Sequence, residues 1–446
     1  MSELILELIN QNKLTEARHE LEDMNIVDIA QLFEEIEMHQ MIKFFRILPK
    51  DIAADVFSYI PTELQAFIIE SITDFEIKHI IDDLFFDDTM DLIEEMPAVV
   101  VKKVLKNTDE QMRKLINQFL NYPEDSAGSI MTIEFVDLKK EMTVKQALSH
   151  IRKTGVDKET INICYVIDSN RKLEGIVSIR RLILSNSDEL VENIMDTDII
   201  YIHTYDDQEK IAMLFKKYDL LSMPVVDNEI RLVGIITVDD VVDIIDQENT
   251  EDIHRMAAIA PSEEEYLKSS IFMLAKNRIV WLLFLMISAT LTGRILSNYQ
   301  AVLDSALVLV LMTYIPMLMS TGGNAGSQSS TLTIRSLALG EISSRDFLKI
   351  LWTEFRVSFI VGLVLACVNF IRIILFDKVS IDIALVVCIS LLGTVIIAKI
   401  VGGLLPIVAV KLKLDPAIMA SPLISTICDA VSMTIFFTMS TMILGL

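Results

Sequence analysis

The sequence predicts a multidomain chain. An all-α helical solenoid comes first, then a pair of α/β modules, a connecting helix, and an α-helical transmembrane domain of five spans. Three observations predict this order. The first is a division of charge. Of 63 acids and 39 bases, residues 271–446 hold 8 and 12, so residues 1–270 hold 55 and 27. An acidic half of net −28 therefore precedes a nearly neutral, apolar half of net +4, which together give −24. The second is a 12-residue punctuation early in the chain. The third is a motif that recurs 59 residues after its first appearance. The expected boundaries are 1–128, 129–192, 193–247, 248–270 and 271–446.

From about 48 to 120 the markers Pro49, Pro61, Thr73, Phe85, Pro97 and Thr108 separate amphipathic segments of two to three turns. Such helices are too short to be stable alone, but stacked they can share one core. A plain helical bundle would serve function equally well. Further on, Tyr165-Val-Ile-Asp168 and Leu173-Glu-Gly-Ile-Val-Ser178 return as Pro224-Val-Val-Asp227 and Leu232-Val-Gly-Ile-Ile-Thr237. Each copy predicts two strands around a turn, with helices before and after. The copies resemble a pair of CBS modules opening at Met131-Thr132 and Met195-Asp196. That resemblance implies an adenine nucleotide such as ATP, its ribose held by a Thr/Ser-x-x-Asp pattern. Only the second copy has the pattern, in Thr237 and Asp240; the first reads Ser178-Ile-Arg-Arg181. The pair reads equally as a dimerisation platform without nucleotide.

Between the halves, Asp239, Asp240, Asp243, Asp246, Glu248, Glu251 and Asp252 stand together without a base. Like charges this dense repel over a Debye length of ~8 Å unless cations intervene. On a helix joining a sensor-like module to a membrane domain, they read as a cation-sensing gate.

Five apolar runs, at 279–297, 303–320, 350–376, 383–408 and 417–445, are each long enough to cross ~30 Å of hydrocarbon. Basic residues precede the first run (Lys268, Lys276, Arg278). Others lie between the second and third (Arg335, Arg345, Lys349) and between the fourth and fifth (Lys411, Lys413). The positive-inside rule then places the amino terminus in the cytoplasm and Leu446 outside. The first twenty residues do not read as a signal peptide. The four cysteines lack metal-ligand spacing, and all six histidines precede residue 255, so no imidazole site is expected in the membrane. So acidic a soluble surface repels phosphate, which excludes nucleic acid as a partner.

Charges inside the spans carry the chemistry, because a mid-bilayer charge costs about 2.5–3.5 kcal/mol on insertion scales. Asp429 is the deepest acid. Asp415-Pro416 reads as a cap with proline at the first helical position. Asp429 would then lie 14 residues into the last span, about 21 Å along it, on a polar stripe with Asp415, Pro422, Ser425 and Ser432. Pro422 would free the carbonyl of Ile418. Three glycines in Gly322-Gly-Asn-Ala-Gly326 should loosen the second span and turn carbonyls, Asn324 and Gln328 toward a cavity; close helix packing through small residues is the alternative. Carboxylate and amide oxygens select hard cations such as Mg2+. One deep acid per chain is too little for a divalent ion, so a homodimer with a pore near its axis is expected, with Asp429, Asn324 and Asp415 in the pore.

These motifs together resemble the MgtE family of magnesium channels over nearly the whole chain. The resemblance rests on Tyr122-Pro-Glu-Asp-Ser-Ala-Gly128, on Gly322-Gly-Asn-Ala-Gly326-x-Gln328, and on the last-span run from Asp415-Pro-Ala through Ser421-Pro422 to Thr426-Ile-Cys-Asp429. Ser129, where a base often follows the junction glycine, and Cys428 are small departures. The resemblance implies a homodimeric Mg2+ channel in the cell membrane with Asp429 as pore acid and Asn324 nearby. It also implies closure when intracellular Mg2+ bridges sensing acids, here Glu209, Asp219, Asp240, Asp243, Glu248, Glu251 and Asp252, with Asp55 and Asp87 in the amino-terminal domain. A Na+- or H+-coupled carrier is the alternative, and a non-conducting nucleotide sensor leaves the polar stripe without a purpose. An anion channel fails on the mid-membrane carboxylate. Without a phosphate-cradling loop or a nucleophile–base pair, no enzyme is expected.

Overall fold

The computed structural model describes residues 2–445 apart from 12, 51, 263–265, 268, 299–309 and 420. The chain forms two compact units, Met1–Ile245 and Asp246–Leu446.

In the first unit the 12-residue period is physical. Helices Ile26–Glu35, Met38–Ile47, Thr62–Ser71, Asp74–Asp83, Phe86–Glu95, Ala98–Asn107 and Glu110–Phe119 start after Asn25, Glu37, Pro61, Thr73, Phe85, Pro97 and Asp109. The repeat thus begins two units earlier than the prolines indicate. Asn25 caps through a bond from the amide of Val27, and Glu37 marks its start without a side-chain cap. Asp109 rather than Thr108 caps the last repeat, accepting from the Met112 amide at 2.7 Å. Thr108 instead closes the preceding helix by donating to the Val104 carbonyl. The slot after Pro49 is shortened to Ala53–Ser58. Each helix turns one apolar side inward, and Phe33, Phe44, Phe57, Phe86 and Phe119 are fully buried. The same core runs on into Ile211, Phe215, Met223, Ile236 and Ile244 of the second α/β module.

The two modules have matching sheets. Strands β1 (Asp137–Leu138), β2 (Ile163–Ile167) and β3 (Leu173–Ser178) pair in that order, as do β4 (Ile202–His203), β5 (Ser222–Val226) and β6 (Leu232–Thr237). Tyr165 faces Ile176 in one sheet and Pro224 faces Ile235 in the other, the same register at the 59-residue offset. The opening segments are exchanged: Thr132 bridges to Ile235 and Asp196 to Ile176. This crossing requires the glycine of each repeat, since a Cβ on Gly234 would lie 2.7 Å from the Thr132 carbonyl oxygen.

A single helix, Val238–Met256, leaves β6 and straddles the boundary of the units. It starts ten residues earlier and ends sooner than the expected 248–270. Ala258 takes a positive φ of 56°, the Ile259 amide returns to the His254 carbonyl, and Pro261 follows. That is a left-handed helix stop.

In the second unit four described helices are long and apolar enough to cross a membrane: Ile271–Ser297, Ser344–Asp377, Ile381–Lys411 and Pro422–Leu444. They correspond to the first, third, fourth and fifth expected spans. Of the second, 303–320, residues 303–309 lie outside the described set. The helix that contains its end, Ile315–Ala338, runs unbroken through Gly322, Gly323 and Gly326. The expected loosening is therefore corrected. The glycines let this helix meet the central Ile381–Lys411 helix at backbone distance, and a Cβ on Gly402 would lie 2.1 Å from the Gly326 carbonyl oxygen. Small residues here serve close packing.

Candidate functional site

In the first unit, acids from three parts of the chain converge. Asp87 and Asp88 occupy the first turn of the Phe86–Glu95 helix. Glu134 accepts from the Phe86 amide at 2.9 Å and from the Thr132 hydroxyl at 3.0 Å. Asp240 accepts from the Thr237 hydroxyl at 2.8 Å. Burial, then the neighbouring charges of Asp240, Glu159 and Asp88, push Asp87 up to about 9. Burial with Asp240, Asp55, Glu134 and Asp239 raises Asp88 to about 6. Glu159 rises to about 7 through burial and the charges of Asp239, Asp240, Asp88 and Glu134. Asp240 rises to about 6, mainly through burial and with Asp239 and Asp243 adding to it. Lys158 opposes the rise at Glu134. One oxygen of Glu159, Oε2, is buried without a hydrogen-bond partner. The arrangement is an excess of negative charge that a cation would relieve. Among the described residues no three His, Cys, Asp or Glu side chains are arranged to hold a metal ion directly.

This cluster joins the expected sensing residues Asp55, Asp87, Asp240 and Asp243. It adds Glu134 and Glu159, which lie in loops where no periodicity marks them. Glu209 and Asp219 lie elsewhere, in the first turn and at the left-handed end of the Gln208–Tyr218 helix. They are separated by about 15 Å of helix rise and cannot share one ion within a chain.

In the second unit, Glu251 and Asp252 meet Asp415 around Arg255. The guanidinium of Arg255 donates to both Glu251 and Asp415. Asp252 is raised by burial and by Asp415, with Arg255 opposing. Asp415 also accepts from the Ala417 amide at 2.7 Å. The cap read from sequence is therefore present, but it caps a short 3-10 turn, Pro416–Met419, and the spanning helix begins afresh at Ser421. Two corrections follow. Asp429 is eight residues along its helix, about 12 Å rather than 21 Å. Pro422 sits in the first turn, where a missing N–H breaks no helical bond, so the Ile418 carbonyl is not freed by it.

An open cavity of about 1090 Å³ lies between the glycine-rich, central and last helices. Asn324, Gln328, Ser327, Thr331, Ser425 and Asp429 line it, with Lys399 in the same wall; Asp415 does not. The glycines open this wall to the last helix, since a Cβ on Gly323 would press on Ser425 at 3.2 Å. The donors are carboxylate, carboxamide and hydroxyl oxygens, a set for hard cations. Lys399 is a residue that the sequence reading passed over. It is buried, and its Nζ donates to the Ser329 hydroxyl at 3.4 Å. Ser329 in turn donates to Glu354 at 2.6 Å. Glu354 thus points to Ser329, while Arg356 lies over the Trp352 ring. The signal was available, since Lys399 is the one base within the expected 383–408 span.

Residues 315–439 match the family model described as MgtE divalent cation transporter, residues 24–125 the MgtE intracellular N domain, and 127–186 and 191–247 the CBS domain. The magnesium transporter MgtE of Thermus thermophilus is 33% identical over 446 residues, covering 98% of this chain and 97% of its own. That of Bacillus subtilis is 31% identical over 437 residues, covering 98% and 96%. The cytosolic domain of the Mg2+ channel MgtE, solved in complex with ATP, is 34% identical with a TM-score of 0.52. It covers 55% of this chain and 100% of that one. The soluble part of a magnesium transporter is 28% identical with a TM-score of 0.53, covering 55% and 97%.

Proposed function

Since the chain belongs to the MgtE family of divalent cation transporters, we propose that it carries Mg2+ into the cell as a gated, homodimeric channel. The observation that carries this reading is the cavity around Asp429, walled by oxygen donors and by Asn324 and Gln328. A hydrated Mg2+ is the substrate such a wall suits: it sheds water reluctantly and can be held by a carboxylate through its own shell. Two copies of Asp429 at a dimer axis supply the charge of one ion. The acidic unit lies in the cytoplasm, with the carboxyl terminus outside.

Closure belongs to the acid clusters. Intracellular Mg2+ at Asp55, Asp87, Asp88, Glu159, Asp240 and Asp243 draws the amino-terminal helices and the start of the linker helix together. When Mg2+ falls, the same charges separate them. Glu209 and Asp219 act across the partner subunit, and Glu248, Glu251 and Asp252 act nearer the pore, where Arg255 already ties the linker helix to Asp415. The hydroxyl of Thr237 and the carboxylate of Asp240 suit the hydroxyls of a ribose, so an adenine nucleotide such as ATP binds there. It shares Asp240 with the cation cluster, which couples the two ligands. A proton-coupled carrier is the second reading, favoured by the hydrogen-bonded run Lys399–Ser329–Glu354.

The test is Mg2+ influx into proteoliposomes without a Na+ or pH gradient, for the wild type and Asp429→Ala. Wild-type flux that falls by several hundredfold in the variant supports the channel, since losing one partly buried charge contact is worth ~3–4 kcal/mol. Flux that survives in the variant removes Asp429 from the pore. Flux that needs a pH gradient favours the carrier.

A further inference from the structure

The end of the linker helix is fastened by two adjacent residues of opposite character. The guanidinium of Arg255 donates to Glu251, one turn back on the same helix, and to Asp415 ahead of the last span. Glu251 aims the guanidinium, and Asp415 is the partner on another element. The two oxygens of Asp415 are divided. Oδ2 takes Arg255, while Oδ1 takes the Ala417 amide of the Pro416–Met419 turn at 2.7 Å. One residue on, Met256 packs against buried Ile334 and Ala417. Ile334 belongs to the helix that carries Asn324 and Gln328, and Ala417 to the turn that leads into the helix of Asp429. Those two helices are walls of the cavity. The contact thus joins both walls beyond one end of the cavity, with a cation that belongs to the chain itself.

Resting on the reading of this cavity as a gated conduction path, we propose that the Arg255–Asp415 pair is an autoinhibitory latch: a metal-independent contact that favours the closed cavity and so sets the Mg2+ concentration at which the channel shuts. An ion path widens only when its walls part, and parting them here breaks the ion pair or lifts Met256 off its seat. Separating the pair leaves partly buried carboxylates at Asp415 and Glu251 without their counter-charge. Closure is therefore favoured by a contribution that does not vary with Mg2+, and the bound ions supply only the remainder. A guanidinium suits a standing latch, because it is always charged and its planar fork bridges two carboxylates at once. A bound ion instead comes and goes with its concentration. The sensing acids Asp240 and Asp243 lie on the same helix, so a displacement of that helix reaches Asp415 through Arg255.

The test measures Mg2+ influx against cytoplasmic Mg2+ concentration in proteoliposomes of the full chain. It compares the wild type with Arg255→Met, Asp415→Asn, the double variant, Arg255→Lys and Met256→Ala, with folding checked by gel filtration and thermal unfolding. Arg255→Met keeps an unbranched stem without donors, and Asp415→Asn keeps an oxygen for the Ala417 amide. The expected result is a half-inhibiting concentration raised about fivefold in each of these two single variants, and no higher in the double variant. Arg255→Lys should fall between them and the wild type, since an ammonium keeps the charge but not the fork. Met256→Ala should shift the curve the same way with the pair intact. If Arg255→Met fails to fold, these two milder variants carry the test. A curve that coincides with the wild type in folded, conducting variants overturns the proposal. A lowered half-inhibiting concentration also overturns it, by making Arg255 a competitor of Mg2+ for Glu251 and Asp415. So do single shifts that add in the double variant, because the two residues then act apart. Wild-type flux that cytoplasmic Mg2+ does not suppress overturns the gated-channel reading itself, whereas a suppressed wild type with an unshifted Arg255→Met overturns only this inference.

Discussion

Around Asp87 the chain brings together acids from the amino-terminal helices, the first α/β module and the linker helix, with Lys158 as an opposing charge at Glu134. Around Asp429 it places one acid among amides and hydroxyls, with a lysine in the same wall. On the proposed function both places meet Mg2+, and their difference is what separates sensing from conduction. A site that must report on a cation needs an arrangement that is strained without it, so that binding changes the structure. A site that must pass the cation needs the opposite, because binding has to be weak enough for the ion to leave. The contact around Arg255 is a third arrangement: there the protein supplies its own cation to Asp415 and Glu251.

The largest effect should come from breaking the packing that makes the cavity wall. Gly402→Ala places a Cβ against the Gly326 carbonyl, where no side chain can give way. We expect a loss of ~2–3 kcal/mol or failure to fold, read by thermal unfolding in detergent, while the exposed helical Gly293 tolerates alanine because nothing lies within 4 Å of its Cβ. A smaller effect sharpens the contrast through pH. Asp87, Glu159, Asp88 and Asp240 are raised to about 9, 7, 6 and 6 in the folded chain. Raised acids contribute stability that is full below their unfolded values near 4 and is lost as pH rises through the folded ones. Without Mg2+ the melting temperature should therefore fall from about pH 6 to pH 9, by on the order of 5 °C. Added Mg2+ should recover more at the higher pH, and Asp87→Asn should flatten the profile. A melting temperature that rises over this range contradicts the assignment.

Much of this was legible before any coordinates. The prolines and threonines at 12-residue spacing marked the repeat because they fall at helix boundaries, Pro61, Thr73 and Pro97 at helix starts and Thr108 at a helix end. Asp429 and Asn324 stood out because polar side chains are rare in apolar spans. What was not legible depends on contacts between distant segments. Glu159 and Glu134 carry no local pattern, and only the fold brings them to Asp87. Gly322, Gly323 and Gly326 have the composition of a broken helix, yet Thr394, Ser425 and Gly402, far along the chain, make them a packing face. Asp415 was read as part of the pore stripe because it lies two heptads before Asp429. The 3-10 turn at Pro416–Met419 breaks that periodicity and hands Asp415 to Arg255.

On the proposed function, the acid-rich cluster closes what the acid-poor cavity conducts. The direct measurement is Mg2+ influx against cytoplasmic Mg2+ concentration for the wild type and the double variant Asp87→Asn, Glu159→Gln in proteoliposomes. The expected result is similar flux at low Mg2+ and a half-inhibiting concentration raised about tenfold in the variant, the effect of ~1.4 kcal/mol of lost cation binding. An inhibition curve that coincides with the wild type, in a variant that folds and conducts, would contradict it.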